Sequence, residues 1–357
     1  MGRTLKKRWW FLAIAVIGLF LCKPLLSWGD DPVTMVCETE VSPNAKQVAF
    51  IGVHKRGKDE IVARLWMLSL PEMRAVEWRD DVAVGINSLS WSPDGSKIAF
   101  LAGTESHFGE LHERDLLTGK IRTIAPSTCK CPKYSPDGKW LGFSRLLKTS
   151  PGHLTSDLLI LNLHSNQPMV IENADHWSWC WSKDSKGVFC VRDGRILFQQ
   201  LGAGGPAVIV ESDKTRNDDK RIADLCVSPD GSQLGYSVGS PVRQYYLMNL
   251  KDRQSRKVFE FDHYFGEVQW NNTGILYLDQ IKGERRSQGR LMLFDPNTQV
   301  SKQVATGSLS DFKWIDASRI VMRRENAELW ILDLVKGSES QLLLVSNEAE
   351  KTSRENK

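Results

Sequence analysis

Apolar and polar residues alternate with a period of two along most of this chain, in short runs separated by turn residues. Leu65-Trp66-Met67-Leu68, Leu158-Leu159-Ile160-Leu161, Tyr245-Tyr246-Leu247-Met248, Leu291-Met292-Leu293-Phe294 and Leu329-Trp330-Ile331-Leu332 are instead apolar or aromatic throughout and recur as a strand signal. No stretch carries a helical period, so the pattern predicts strands throughout. Between the runs one phrase recurs. It is clearest as Trp91-Ser92-Pro93-Asp94-Gly95 through Phe100, Tyr134-Ser135-Pro136-Asp137-Gly138 through Phe143, and Val227-Ser228-Pro229-Asp230-Gly231 through Tyr236. Weaker copies run from Val41 to Phe50 and from Trp181 to Cys190, and two more start at Trp270 and Trp314. The anchors Ser42, Ser92, Ser135, Ser182, Ser228, Asn271 and Ile315 lie 43 to 50 residues apart. A period of about 40–50 residues marks a repeat architecture.

Each copy reads as a hairpin. Proline presets φ, aspartate hydrogen-bonds the backbone two residues on, and glycine accepts positive φ. A third and a fourth strand follow, the last exemplified by Lys120 to Ala125 and Gln341 to Val345. Four antiparallel strands per repeat make a propeller blade. Residues 30–347 hold seven such repeats, which predicts an all-β fold, a seven-bladed β-propeller of four-stranded antiparallel blades in one domain. The chain starts on an innermost strand and ends on an outermost one. Seven sequentially complete blades are therefore expected, closed by packing between the first and the last unless residues 31–36 add an outer strand to the last.

The Trp-Ser-Pro-Asp-Gly-x-x-Ile-Ala-Phe phrase resembles the WD40-like (PD40) repeat of the TolB propeller family, and the same phrase occurs in the propellers of prolyl-oligopeptidase-type peptidases. The resemblance spans nearly all of the chain beyond its first 29 residues. It implies a propeller used for interaction, and it carries over no catalytic residue. No Gly-x-Ser-x-Gly nucleophile elbow is present.

Residues 1–29 stand apart. Arg3, Lys6, Lys7 and Arg8 precede an apolar run from Trp9 to Cys22, the pattern of a signal peptide, with Ser27 and Gly29 at plausible cleavage positions. The alternative is an uncleaved membrane anchor within residues 9–28. All five ionised residues of this segment are basic, so 42 of the 47 basic residues remain against 43 acidic ones. Near-neutrality beyond the segment argues against nucleic acid as a partner. The expected location is extracytoplasmic, with membrane contact only through the N-terminal segment. Residues 348–357 read as a disordered tail.

Six cysteines follow the segment: Cys37, Cys129, Cys131, Cys180, Cys190 and Cys226. They are read as buried thiols or as one or more disulfides. Cys129-Lys130-Cys131 lacks zinc-site spacing, and no metal or cofactor is expected. Aligning the repeats places Glu38, Ser88, Cys131, Ser178, Asp224, Glu267 and Asp311 in one column on the innermost strands. Such an acidic channel mouth would hold a cation or the basic end of a peptide, or would simply line a water-filled tunnel. His176 and Trp177 fall at the same mouth. A basic rim is expected from the loops, including Arg145, Arg285, Arg286 and Arg290. The functional expectation is a non-enzymatic, exported module for a protein or peptide partner. The alternative is an enzyme or ligand-binding protein working at the acidic mouth.

Overall fold

In the computed structural model the described residues span 33–342, apart from 57–59, 71, 73, 79–83, 104–108, 151–152, 176, 203–206, 212–220, 241, 263–267, 282–287 and 325–327. They form 26 strands and no helix, arranged in five antiparallel sheets. The first sheet is an up-and-down meander of Val33–Val41, Gln47–Arg56, Glu60–Ser69 and Arg74–Trp78. Two further four-stranded meanders run from Trp179–Trp181 to Ala207–Glu211 and from Ile222–Val227 to Ser255–Asp262.

The other two sheets have seven strands because one long strand in each serves twice. Ile121–Tyr134 pairs through its first half with Gly109–Asp115 and through its second half with Trp140–Ser150. Val300–Trp314 likewise ends one meander against Gln288–Asp295 and begins the next against Arg319–Arg324. The same four-strand unit thus recurs along the chain, as the sequence period predicts.

The signature phrase makes a self-contained turn. In the copy at Ser92, the serine hydroxyl donates to Asp94 Oδ1 (2.6 Å) and accepts from the Lys97 amide (2.9 Å). Asp94 Oδ1 also accepts from the Ser96 amide (3.0 Å). The bonds repeat at Ser135/Asp137, Ser182/Asp184 and Ser228/Asp230, and at Ser42 with Asn44 in place of the aspartate. Gly95, Gly138 and Gly231 follow at φ of 71°, 72° and 76°, left-handed values that glycine adopts without a Cβ clash.

These bonds leave an electrostatic signature. The serine hydroxyl and backbone amides hold the carboxyls of Asp94 and Asp184 below the usual range, and that of Asp230 down to about 2. A depressed carboxyl contributes stability above its unfolded value of about 3.9 and loses it as pH falls through the folded value. Replacing Asp94, Asp184 and Asp230 together with asparagine keeps the geometry already present at Asn44. The urea midpoint of that variant is expected to fall less steeply than wild type between about pH 4 and pH 2. Parallel curves would show that the turn carboxylates contribute nothing to acid sensitivity.

Apolar clusters lie between successive units. One joins Phe189, Val191 and Ile196 to Ile222, Leu234 and Tyr236. Another joins Tyr245, Leu247 and Phe259 to Val268, Ile275 and Tyr277. The first and last sheets meet in the same way: Val36, Phe50, Trp66 and Leu68 pack on Val321, Leu329, Ile331 and Leu342. Among the described residues no strand from one end of the chain enters the sheet at the other end. The ends are joined by packing and by polar contacts. Lys313 Nζ lies 2.9 Å from Glu40 Oε1, and Arg323 donates to the Val36 and Cys37 carbonyls.

Candidate functional site at the channel mouth

Five of the seven positions in the polar column aligned from the sequence fall at or beside register shifts of the innermost strands. Register shifts fall between Val36 and Thr39, Val84 and Leu89, Lys130 and Lys133, Ala223 and Cys226, and Leu309 and Asp311. Cys131 and Asp224 have left-handed φ values of 49° and 53°. A bulge leaves one residue out of the ladder and re-aims its side chain. Neighbouring strands therefore become hydrogen-bonded through side chains.

Asp311 Oδ2 accepts from the Thr39 hydroxyl (2.7 Å) and amide (3.2 Å), 272 residues away in sequence. Glu38 Oε1 accepts from the Leu89 amide (3.3 Å), and Ser88 Oγ accepts from the Cys131 amide (3.1 Å). These three members thus brace the irregular stretch of an innermost strand in a neighbouring unit. Asp224 acts within its own unit, accepting from Ser237 Oγ and Arg243 Nη1 at 2.5 Å each. The carboxylates of Glu38, Asp224 and Asp311 all hold backbone or side-chain partners. Glu267, His176, Arg285 and Arg286 lie outside the described residues.

Trp177 lies just before the strand Trp179–Trp181, at the end away from its signature turn. It is 50% exposed, whereas Trp179 and Trp181 are buried and meet edge to face at 6.2 Å. Beneath it sits a group the sequence reading passed over. Lys130 Nζ lies 3.6 Å from the Trp177 ring centroid, and the lysine is only 4% exposed. Burial lowers its pKa, while Cys131 and Glu38 nearby act to raise it. A cation on an indole face gains most when it is desolvated, as here. The signal available in sequence was a lysine at an inward strand position between two cysteines.

Two of the arginines expected at the rim are engaged in ion pairs. Arg145 pairs with Asp157 at 3.0 Å, and Arg290 pairs with Asp279 at 2.5 Å. Asp175 binds the Trp177 and Ser178 amides and pairs with Arg221 at 3.1 Å. All six cysteines that follow the N-terminal segment are free thiols. Burial pushes Cys37 up to about 11 and Cys129 and Cys190 up to about 12, so these are poor nucleophiles. Among the described residues no group of three or more His, Cys, Asp or Glu is placed to hold a metal, and no helix is long and apolar enough to cross a membrane.

No protein-family model matches the chain, and no curated protein matches it by sequence. Solved structures do match by shape. TolB from Acinetobacter baumannii aligns at 14% identity, covering 84% of this chain and 67% of its own, with a TM-score of 0.51. The β-propeller domain of the Trilobed protease from Pyrococcus furiosus, described as having an open velcro topology, aligns at 16% identity over 88% and 97%, with a TM-score of 0.62. Oligogalacturonate lyase from Vibrio parahaemolyticus aligns at 14% identity over 87% and 92%, with a TM-score of 0.63. The chain spans about half the length of an acylaminoacyl peptidase that it also resembles, covering 54% of it. At these identities the likeness establishes the fold. The chain is a TolB-like β-propeller in architecture.

Proposed function

We propose that the chain is a seven-bladed propeller built from WD40-like (PD40) repeats, exported by its N-terminal segment, and that it serves the cell envelope as a protein-interaction module. The two double-duty strands, each counted once in each of two units, resolve the strands into seven groups of four, in keeping with the seven anchors in the sequence. One observation carries the functional reading. The mouth carboxylates of Glu38, Asp224 and Asp311 hold the strands together, while Trp177 presents a half-exposed aromatic face above them. A rigid rim with an exposed aromatic anchor suits capture of a protein segment. The strand Val33–Val41 begins at this same face, so an uncleaved N-terminal segment would hold the mouth toward the membrane.

The test is affinity purification of the tagged, membrane-extracted protein, with mass spectrometry of co-eluting proteins and of the mature N-terminus. A stoichiometric envelope partner should be recovered with wild type. It should be lost with Trp177→Ala, or with Arg285 and Arg286 both changed to Glu. A partner retained by both variants would overturn the role of this face. A ligand-binding or catalytic mouth is the second reading, favoured by the buried, pKa-depressed Lys130 beside Glu38 and Cys131. It predicts a co-eluting small molecule that Lys130→Met releases.

A further inference from the structure

A shallow, open cavity lies where the signature turns of successive repeats meet, at the end of the strand Trp179–Trp181 away from Trp177. It measures about 360 Å³ and is walled by Trp181, Trp270, Pro136 and Pro229, with Lys183 and Asn272 at its edge. Trp177 precedes the strand Trp179–Trp181 and Lys183 follows it, so the two sites occupy opposite ends of that strand. The walls come from four consecutive repeats, at the points where innermost strands enter their signature turns. The cavity therefore sits where the axial channel meets the turn face.

The repeat departs from its own rule at this place. Pro43, Pro93, Pro136 and Pro229 follow the anchor serine in four copies, but Lys183 stands there in the copy at Ser182. In the copy at Trp270, Asn271-Asn272 replaces Ser-Pro. A Cβ built on Gly231 would meet the Lys183 stem at 2.9 Å, just as one on Gly138 would approach Pro93 at 3.5 Å. The lysine keeps the packing role of the proline and adds a cation. Asn271 is used up by the fold, accepting from the Thr273 and Gly274 amides and donating to the Asp316 carbonyl. The Trp181 indole donates to the Lys133 carbonyl.

Lys183 and Asn272 differ from those groups. Both are exposed, and neither bonds to any described residue. Asp184, beside Lys183, is engaged by Ser182 and lies 3.5 Å from Lys186. Lys183 is the one charged residue among those lining the cavity. The site thus offers flat apolar walls, one uncommitted cation and one uncommitted carboxamide. That set matches a carboxylate attached to an aromatic or other apolar side chain. The cavity is an open bowl with an exposed rim, which lets a chain lead away from it.

We infer that this cavity captures the C-terminal carboxylate of a partner polypeptide, with the terminal apolar side chain between the tryptophan and proline walls and the carboxylate on Lys183 and Asn272. The inference rests on the reading of the protein as an interaction module and names a second docking face for it. Binding by the full chain is tested by fluorescence anisotropy with an N-terminally labelled Gly-Ser-Gly-Phe peptide. The free acid should bind saturably, and its C-terminal amide at least tenfold more weakly. Lys183→Glu should abolish binding, Asn272→Ala should weaken it severalfold, and Trp177→Ala should leave it unchanged.

Equal binding of acid and amide, binding retained by Lys183→Glu, or no saturable binding would each overturn the inference. So would competition by N-acetylphenylalanine at the same concentration as the peptide, which would assign the cavity to a small carboxylate. Because Lys183 is exposed, its variants are expected to fold, and Lys183→Arg should retain binding. Partner capture through Trp177 is read at the other face, so either proposal can fail while the other stands.

Discussion

Replacing Phe50 with alanine is expected to destabilise the protein by about 3–5 kcal/mol, the usual cost of emptying a fully buried aromatic site. Phe50 is fully buried and stacks on Trp66 with centroids 5.9 Å apart, in the cluster that joins the first sheet to the last. The location makes the expected result specific. A propeller whose ends share a strand is held at that seam by a hydrogen-bonded ladder, whereas among the described residues the seam is made by apolar packing and a few polar contacts. Hydrogen exchange in Phe50→Ala should accelerate first in Val33–Val41, Gln47–Arg56 and Arg319–Arg324, the strands flanking the seam. Chemical denaturation would give the overall loss. Uniform acceleration across all sheets would mean that the seam is no weaker than the other contacts between units.

The second large effect is expected from adding a single methyl group. A Cβ on Gly235 would lie 2.3 Å from the Tyr245 hydroxyl oxygen and 2.9 Å from its Cζ. Tyr245 cannot swing aside. It is fully buried, stacks on Phe259 at 4.9 Å, and its hydroxyl donates to the Asp224 carbonyl at 3.4 Å. Gly235→Ala should therefore cost about 1–3 kcal/mol through overpacking. Tyr245→Phe removes the atom in closest conflict. The double variant should lose measurably less stability than the sum of the two single variants. Strict additivity in urea denaturation would show that the clash is relieved by backbone movement instead.

The signature turns were the most legible part of the sequence because their chemistry is local. Ser92, Asp94, Ser96 and Lys97 satisfy one another within five residues. The short Ser-Pro-Asp-Gly string therefore encodes its own geometry, and its spacing encodes the repeat. Alternation along the strands was legible for a similar reason, since successive side chains on a strand point to opposite faces. Val48, Phe50, Trp66 and Leu68 enter one cluster, and the residues between and beside them, Ala49, Ile51, Leu65 and Met67, enter the cluster on the other face.

The candidate site was legible only in part. Alignment puts Glu38, Asp224 and Asp311 in one column, and in the structure each of these carboxylates is engaged in hydrogen bonds at or beside an irregular stretch of an innermost strand. The work those carboxylates do was hidden, because their partners are remote: Leu89 for Glu38 and Thr39 for Asp311. Nothing near Asp311 in sequence points to Thr39, and the bulge that aims it exists only once two strands have paired.

What this sequence determined by itself was the unit: a four-stranded meander with a hydrogen-bonded serine–aspartate turn, repeated at a regular period. What only the tertiary structure decided was how units meet. The seam between Phe50 and Val321, the lysine desolvated beneath Trp177, and the cavity that Lys183 shares with Trp270 each bring together residues from different repeats. Contacts within a unit follow from short-range chemistry written along the chain. Contacts between units depend on distances that exist only after the sheets have packed around a common axis.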